Sequence, residues 1–279
     1  MEQLSSSEIP DGFLALVATR LQTHSVSLID VTQLPGTPED ADPIGSGTLV
    51  NVGQVFGILT AQHVADGLTQ DSRLGLTIGP EGDEHAFQLP ISEARIVEIA
   101  APVNKEYGPD LAFITIPQPY LGTVKSYKSF VDLSADQAYL LDDPPTLDSG
   151  LWFVCGCPSR MTRRVPSERG FREVIEFRLL CGTGPAGSTF VKGDFDYIDM
   201  QLNLRAAPNL PRTYRGMSGG GLWQVLIRRE ASGMFSASRY LLSGVVYYQT
   251  ELVDERRALR SHGRRSVYQV AYEAISRCA

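Results

Sequence analysis

The chain has 279 residues, 43% of them apolar, with 26 glycines, 17 prolines and a net charge of −7. That length suits one large domain or two packed lobes of about 100–150 residues, and the turn-rich composition favours many short strands over a helical bundle. No apolar run is long enough to span a bilayer, and the arginines lack interleaved aromatics, so neither a membrane nor a nucleic acid is an expected partner.

Residues 1–125 hold 5 Lys and Arg against 16 Asp and Glu, whereas residues 126–279 hold 20 against 16. This asymmetry suggests two lobes with opposite fields. Met1–Pro10 is polar and acidic, without the basic-then-apolar pattern of a secretory leader, so a cytoplasmic location is expected.

Residues 10–22 carry apolar side chains at helical spacing and predict a short helix with Asp11 near its cap. Residues 25–31 alternate as a first strand, and Pro35–Pro43 is a turn-rich acidic loop. Gly45-Ser46-Gly47-Thr48 enters a strand, and the apolar strand Val55–Thr60 runs straight into Ala61-Gln62-His63. Residues 74–78 and 86–91 suggest a hairpin around a Gly79–Asp83 turn, followed by a strand at 94–100. Tyr107-Gly108-Pro109-Asp110 is a turn that delivers Asp110 to the mouth of the apolar strand 111–116. An acid there needs donors or a cationic partner.

Residues 117–150, with four prolines and little periodicity, read as the passage between lobes. Strands are expected at 151–155, 174–181, 197–204, 222–228 and 240–249, with a basic loop at 160–172, a glycine-rich separator at 182–193 and a terminal helix at 267–277. Cys155-Gly156-Cys157 has no second cluster at metal-ligand spacing, so neither metal nor cofactor is expected. Buried free thiols are the favoured reading, with Cys157 and Cys181 as the pair that adjacent strands would bring together.

The most chemical stretch is Arg215-Gly216-Met217-Ser218-Gly219-Gly220-Gly221. Glycine tolerates positive φ and close backbone approach, so this loop can present Ser218 at a tight turn with neighbouring N–H groups aimed at one point. Serine needs a positioned base to act as a nucleophile, and a developing oxyanion needs such donors. Of the four histidines, His63, just past a buried strand, is the best candidate base. Asp110 is preferred as its carboxylate over Asp66, which sits in a plain turn sequence.

Thr60-Ala61-Gln62-His63-Val64, Asp110-Leu111-Ala112-Phe113-Ile114 and Gly216-Met217-Ser218-Gly219-Gly220 together resemble the chymotrypsin/trypsin-like serine peptidases, in that family's order of histidine, aspartate, serine. Gly244–Gln249 is similar to the family's substrate-pairing strand, and Ser266-Val267-Tyr268 to its closing strand. The resemblance implies an all-β fold of two six-stranded antiparallel barrels, with a short N-terminal helix and a C-terminal helix outside them. The expected division is an N-terminal helical extension at 1–24, a first lobe at 25–125, a linker at 126–150 and a second lobe with the helix at 151–279.

The same resemblance implies a serine endopeptidase with His63, Asp110 and Ser218 as its triad and the N–H groups of Gly216 and Ser218 as its oxyanion hole. Its partners would be a protein or peptide substrate and, optionally, a protein activator. Arg212 falls at the base of the primary specificity pocket, with Arg215, Tyr247, Tyr248, Gln249 and Ser266 around the substrate, which implies a preference for acidic side chains. Met217 stands where secreted digestive members carry the aspartate that pairs with a new N-terminus, so maturation by cleavage is not expected. A catalytically silent binding module and a small-ester hydrolase are the alternatives.

Overall fold

A computed structural model describes residues 9–32, 40–69, 71–79, 87–104, 106–161, 163–166, 173–176, 179–203 and 211–278. The Gly79–Asp83 turn beyond Gly79 and the tip of the 160–172 loop lie outside the described residues. The fold is mostly β, in two antiparallel sheets.

The first sheet contains β1 (Ser25–Thr32), β2 (Asp40–Val52), β3 (Val55–Thr60), β4 (Arg73–Leu76), β5 (Phe87–Pro90), β6 (Ile96–Ala100) and β7 (Leu111–Thr115) in the order β5-β4-β1-β2-β3-β7-β6. The two-residue β8 (Val131–Asp132) adds to β2 in parallel. The β2–β3 hairpin turns through two residues, with Gly53 at φ 56, a backbone conformation that glycine adopts without a Cβ penalty.

The second sheet is built from β9 (Leu151–Gly156), β12 (Leu180–Thr183), β13 (Ala186–Lys192), β14 (Phe195–Asn203), β15 (Gly221–Arg229), β16 (Phe235–Gln249) and β17 (Arg256–His262) in the order β12-β9-β15-β16-β17-β14-β13. A separate ribbon pairs β10 (Arg163–Pro166) with β11 (Glu173–Glu176). The strand pairing in each sheet runs as an open path.

Among the described residues five α-helical segments accompany the sheets: α1 (Asp11–Gln22), α2 (Gln62–Ala65), α3 (Gln118–Tyr127), α4 (Leu133–Asp142) and α5 (Tyr272–Ser276). The stretch expected to be a plain linker is therefore ordered. Pro119 opens α3, and Asp132 caps α4 by accepting from Ser134 N–H at 2.9 Å. The glycine-rich separator at 182–193 carries β13. A π-helical turn at Ser266–Ala271 leads into α5.

The sheets share a core. Val50, Leu59 and Phe113 of the first sheet lie in one apolar cluster with Phe153, Trp223 and Val225 of the second, and Val17 and Leu21 of α1 join them. The N-terminal helix is thus part of this core, and Gln22 Nε2 reaches Leu179 O at 3.2 Å. Fully burying a side chain of this size stabilises by about 1.5–3 kcal/mol, so the junction between the lobes is a folding core rather than a loose contact.

Candidate active site

The register of β3 against β7 places Thr60 opposite Ala112. The residue groups just beyond, His63 after β3 and Asp110 before β7, are therefore neighbours. The α2 turn has no side-chain cap of its own. Asp110 supplies one from 47 residues away: Oδ1 accepts His63 N–H at 3.0 Å, while Oδ2 lies 2.5 Å from His63 Nδ1. The carboxylate thus satisfies a free helix-end donor and fixes the ring together. Asp110 is buried, whereas the His63 side chain is 46% exposed. Asp66 instead accepts from Gln62 Nε2 at 2.7 Å and is exposed.

A second histidine supports Asp110 from behind. His262, fully buried on β17, accepts Asp110 N–H at Nε2 over 3.0 Å. Burial depresses its pKa to about 4 against the opposing pull of Asp110, so the ring is neutral at pH 7 and able to accept. Its ring packs 4.8 Å from Tyr247. Tyr247 OH donates to Glu106 O at 3.0 Å, and Arg260, held by Asp199 at 2.8 Å, donates to the same carbonyl at 3.0 Å. The 106–110 loop is therefore anchored to the second sheet.

Ser218 sits on the loop before β15. Gly216 at φ 94 and Gly219 at φ 89 take conformations that disfavour side chains. A Cβ at Gly219 would collide with Ser46 O, and one at Gly45 would meet Val64 at 2.7 Å and Ser218 O at 3.1 Å. The absence of a side chain at Gly45 lets α2 and the Ser218 loop come together. Met217 is buried.

Arg215 O accepts from Ser159 N–H at 2.7 Å and Met217 O from Gly220 N–H at 2.8 Å. In a trans peptide the N–H points opposite its carbonyl, so Gly216 N–H and Ser218 N–H turn away from these anchors. Neither has a hydrogen-bond partner among the described residues. Ser218 Oγ donates to Tyr247 O over a long 3.4 Å, and no hydrogen bond joins it to His63 among the described residues. Such bonds are often long in unliganded enzymes and tighten in the complex.

Beyond Val246, which bonds Gly220 O at 2.8 Å, the β15 side of β16 has no strand partner among the described residues. Tyr247–Gln249 therefore present a backbone edge without a strand partner beside Ser218, its one bond on this side among the described residues being that from Ser218 Oγ to Tyr247 O. A cleft of about 1090 Å³ lies instead on the β17 side, lined in part by Glu106, Asp199, Gln201, Tyr248 and Arg257, and neither Ser218 nor His63 lines it.

The other residues expected around a substrate divide. Arg215 is exposed on the Ser218 loop. Gln249 bridges to the segment before that loop, accepting from Tyr214 N–H at 2.8 Å and Arg257 at 2.7 Å and donating to Thr213 at 3.3 Å. Arg212 corrects the expectation of a pocket base: its side chain is 68% exposed and paired with Glu255 at 2.8 Å. Ser266 likewise is no pocket wall. It is fully buried, and its hydroxyl lies 2.8 Å from Asp196 Oδ1.

Cys157 is buried apart from Cys181. The sulfur facing Cys181 is that of Cys155, 2.7 Å away, because β9 and β12 pair Cys155 with Cys181. Among the described residues no group of three or more His, Cys, Asp or Glu is placed to hold a metal ion, and no helix is long and apolar enough to cross a membrane. No family model and no curated protein matches the chain.

Proposed function

We propose that the protein is a serine endopeptidase acting through an acyl-enzyme on Ser218. The observation that carries this reading is the two-point clamp of Asp110 on His63, 3.0 Å to the backbone N–H and 2.5 Å to the ring, beside the Ser218 loop. On this reading Ser218 Oγ attacks the scissile carbonyl and His63 Nε2 takes its proton. Asp110 keeps the other ring proton on Nδ1 and stabilises the imidazolium. The N–H groups of Gly216 and Ser218 receive the developing oxyanion. The tetrahedral species collapses as His63 returns the proton to the leaving amine, and water repeats the sequence to free Ser218.

The edge without a strand partner at Tyr247–Gln249 supports a peptide substrate over a small ester, since an extended chain can add there as a strand. The unpaired loop donors favour an active hydrolase over a silent binding module. The same reading takes the two sheets as the two lobes of the chymotrypsin-like architecture, each a barrel left open between its end strands.

The test is labelling by a fluorophosphonate together with digestion of a peptide library. Wild-type protein is expected to label and to cut internal peptide bonds, and Ser218→Ala to lose both by several orders of magnitude while melting normally. Labelling that persists in Ser218→Ala removes Ser218 as the nucleophile. Labelling with cleavage of esters alone returns the small-ester reading, and no labelling returns the binding module.

A further inference from the structure

We infer that Ser46 and Thr48 of the first sheet are positioning residues that set the oxyanion loop of the second, an inference that rests on the serine-hydrolase reading above. Ser46 is fully buried and makes four hydrogen bonds at the junction of the lobes. Its hydroxyl donates to Gly216 O at 2.6 Å and accepts from Cys157 N–H at 2.7 Å. Its backbone N–H donates to Ser218 O at 2.8 Å, and its carbonyl accepts from Thr60 Oγ1 at 2.8 Å. Two residues along the strand, buried Thr48 donates to Gly219 O at 3.1 Å.

These bonds complete the anchoring of the loop. With Arg215 O on Ser159 and Met217 O on Gly220, each of the five consecutive carbonyls from 215 to 219 has a donor. Three of those five donors come from β2. Each peptide plane is rigid, so holding a carbonyl also aims the N–H on the other side of that plane. The Ser46 hydroxyl fixes the Gly216–Met217 plane, which lies between the two planes that carry the oxyanion donors. Because the same hydroxyl accepts from Cys157 N–H, it also locates the turn whose Ser159 N–H holds Arg215 O. Gly216, at φ 94, has the backbone freedom to let that plane rotate once the hydroxyl is gone.

A change in donor direction acts on the transition state more than on bound substrate, because the oxyanion exists only there. Ser46→Ala is therefore expected to lower kcat about 10- to 100-fold with KM within about twofold, a fraction of the loss seen when a donor is removed outright. Affinity for a peptide boronate, which forms the tetrahedral adduct on serine, should fall in parallel, as should the rate of fluorophosphonate labelling.

The experiment measures kcat, KM, boronate affinity and labelling for wild type, Ser46→Ala and Thr48→Val, well below each melting temperature. The parallel loss of kcat and boronate affinity at constant KM supports the strap. If wild type labels and Ser46→Ala keeps its kcat and boronate affinity, the strap is overturned while the hydrolase reading stands. A rise in KM with unchanged kcat overturns it as well. If wild type neither labels nor turns over, the hydrolase reading fails and takes this role with it. Should Ser46→Ala fail to fold, Thr48→Val is read alone, since it removes one loop bond and keeps side-chain shape: an unchanged kcat overturns the strap.

Discussion

His262 shows how one buried side chain couples the site to pH. Its folded pKa is lowered to about 4 by desolvation, with Asp110 and Asp196 pulling the other way. In the unfolded chain an ordinary histidine titrates near 6.5. Between those values the unfolded state binds the proton and the folded state does not, so stability falls as pH drops from about 6.5 towards 4 and is fully present above that window. His24 adds the same sign, lowered to about 4 by its own burial. The expected outcome is a melting temperature clearly lower at pH 5 than at pH 7.5. In His262→Gln, which retains an acceptor for Asp110 N–H, the gap should narrow. An equal gap in the variant would show that the slope comes from other groups. The histidine pattern in the sequence did not reveal this role. No strand is expected from the sequence at 256–262, and the contact to Asp110 joins positions 152 residues apart.

At the scale of elements, local pattern carried the reading where neighbours in sequence do the work. Val55–Thr60 running into His63, the turn before Asp110, and the glycines around Ser218 are all visible in short windows. It failed where an element depends on tertiary packing. The helices α3 and α4 have few buried residues, Leu121 and Val124 in one and Leu133 and Leu140 in the other, so their periodicity is faint. Arg212 failed differently, because spacing places a residue on a loop without saying which way its side chain points. The cysteines turned on register. Cys155 and Cys181 stand opposite each other on β9 and β12 with sulfurs 2.7 Å apart, whereas the sequence reading takes Cys157 as the partner of Cys181. Hydrogen peroxide should join this pair, the two thiols losing two hydrogens and the peroxide leaving as two waters. Thiol titration after denaturation should then fall from four groups to two, and peptide mapping should recover the 155–181 link. Closing a loop of this size stabilises a fold by about 3 kcal/mol, so the oxidised protein should melt several degrees higher. A recovered 157–181 link, or four free thiols after oxidation, would contradict the register.

At the scale of the whole molecule, the proposed site draws on both sheets: His63 and Asp110 flank strands of the first, and Ser218 precedes a strand of the second. Geometry of that kind survives only if the lobes do not move independently. The shared apolar cluster predicts that they unfold as one unit, since Leu59 and Phe113 pack in the same core as Phe153, Trp223 and Val225. Two separable lobes would have been the simpler inference from the opposite charge balance of the two halves, but charge governs long-range fields, not how apolar faces meet. Phe153 tests the point. It is 1% exposed on β9, opposite Trp223 of β15. Phe153→Ala should cost about 3–5 kcal/mol through lost burial and the cavity left behind. If the fold is one unit, a single unfolding transition moves to lower denaturant with its slope kept. Slow-exchanging amides of β3 and β7 should then lose as much protection as those of β9 and β15, although the substitution lies in the second sheet. Loss confined to β9 and β15, or a transition that splits in two, would mean that the lobes unfold separately and that alignment of His63 with Ser218 rests on the loop contacts alone.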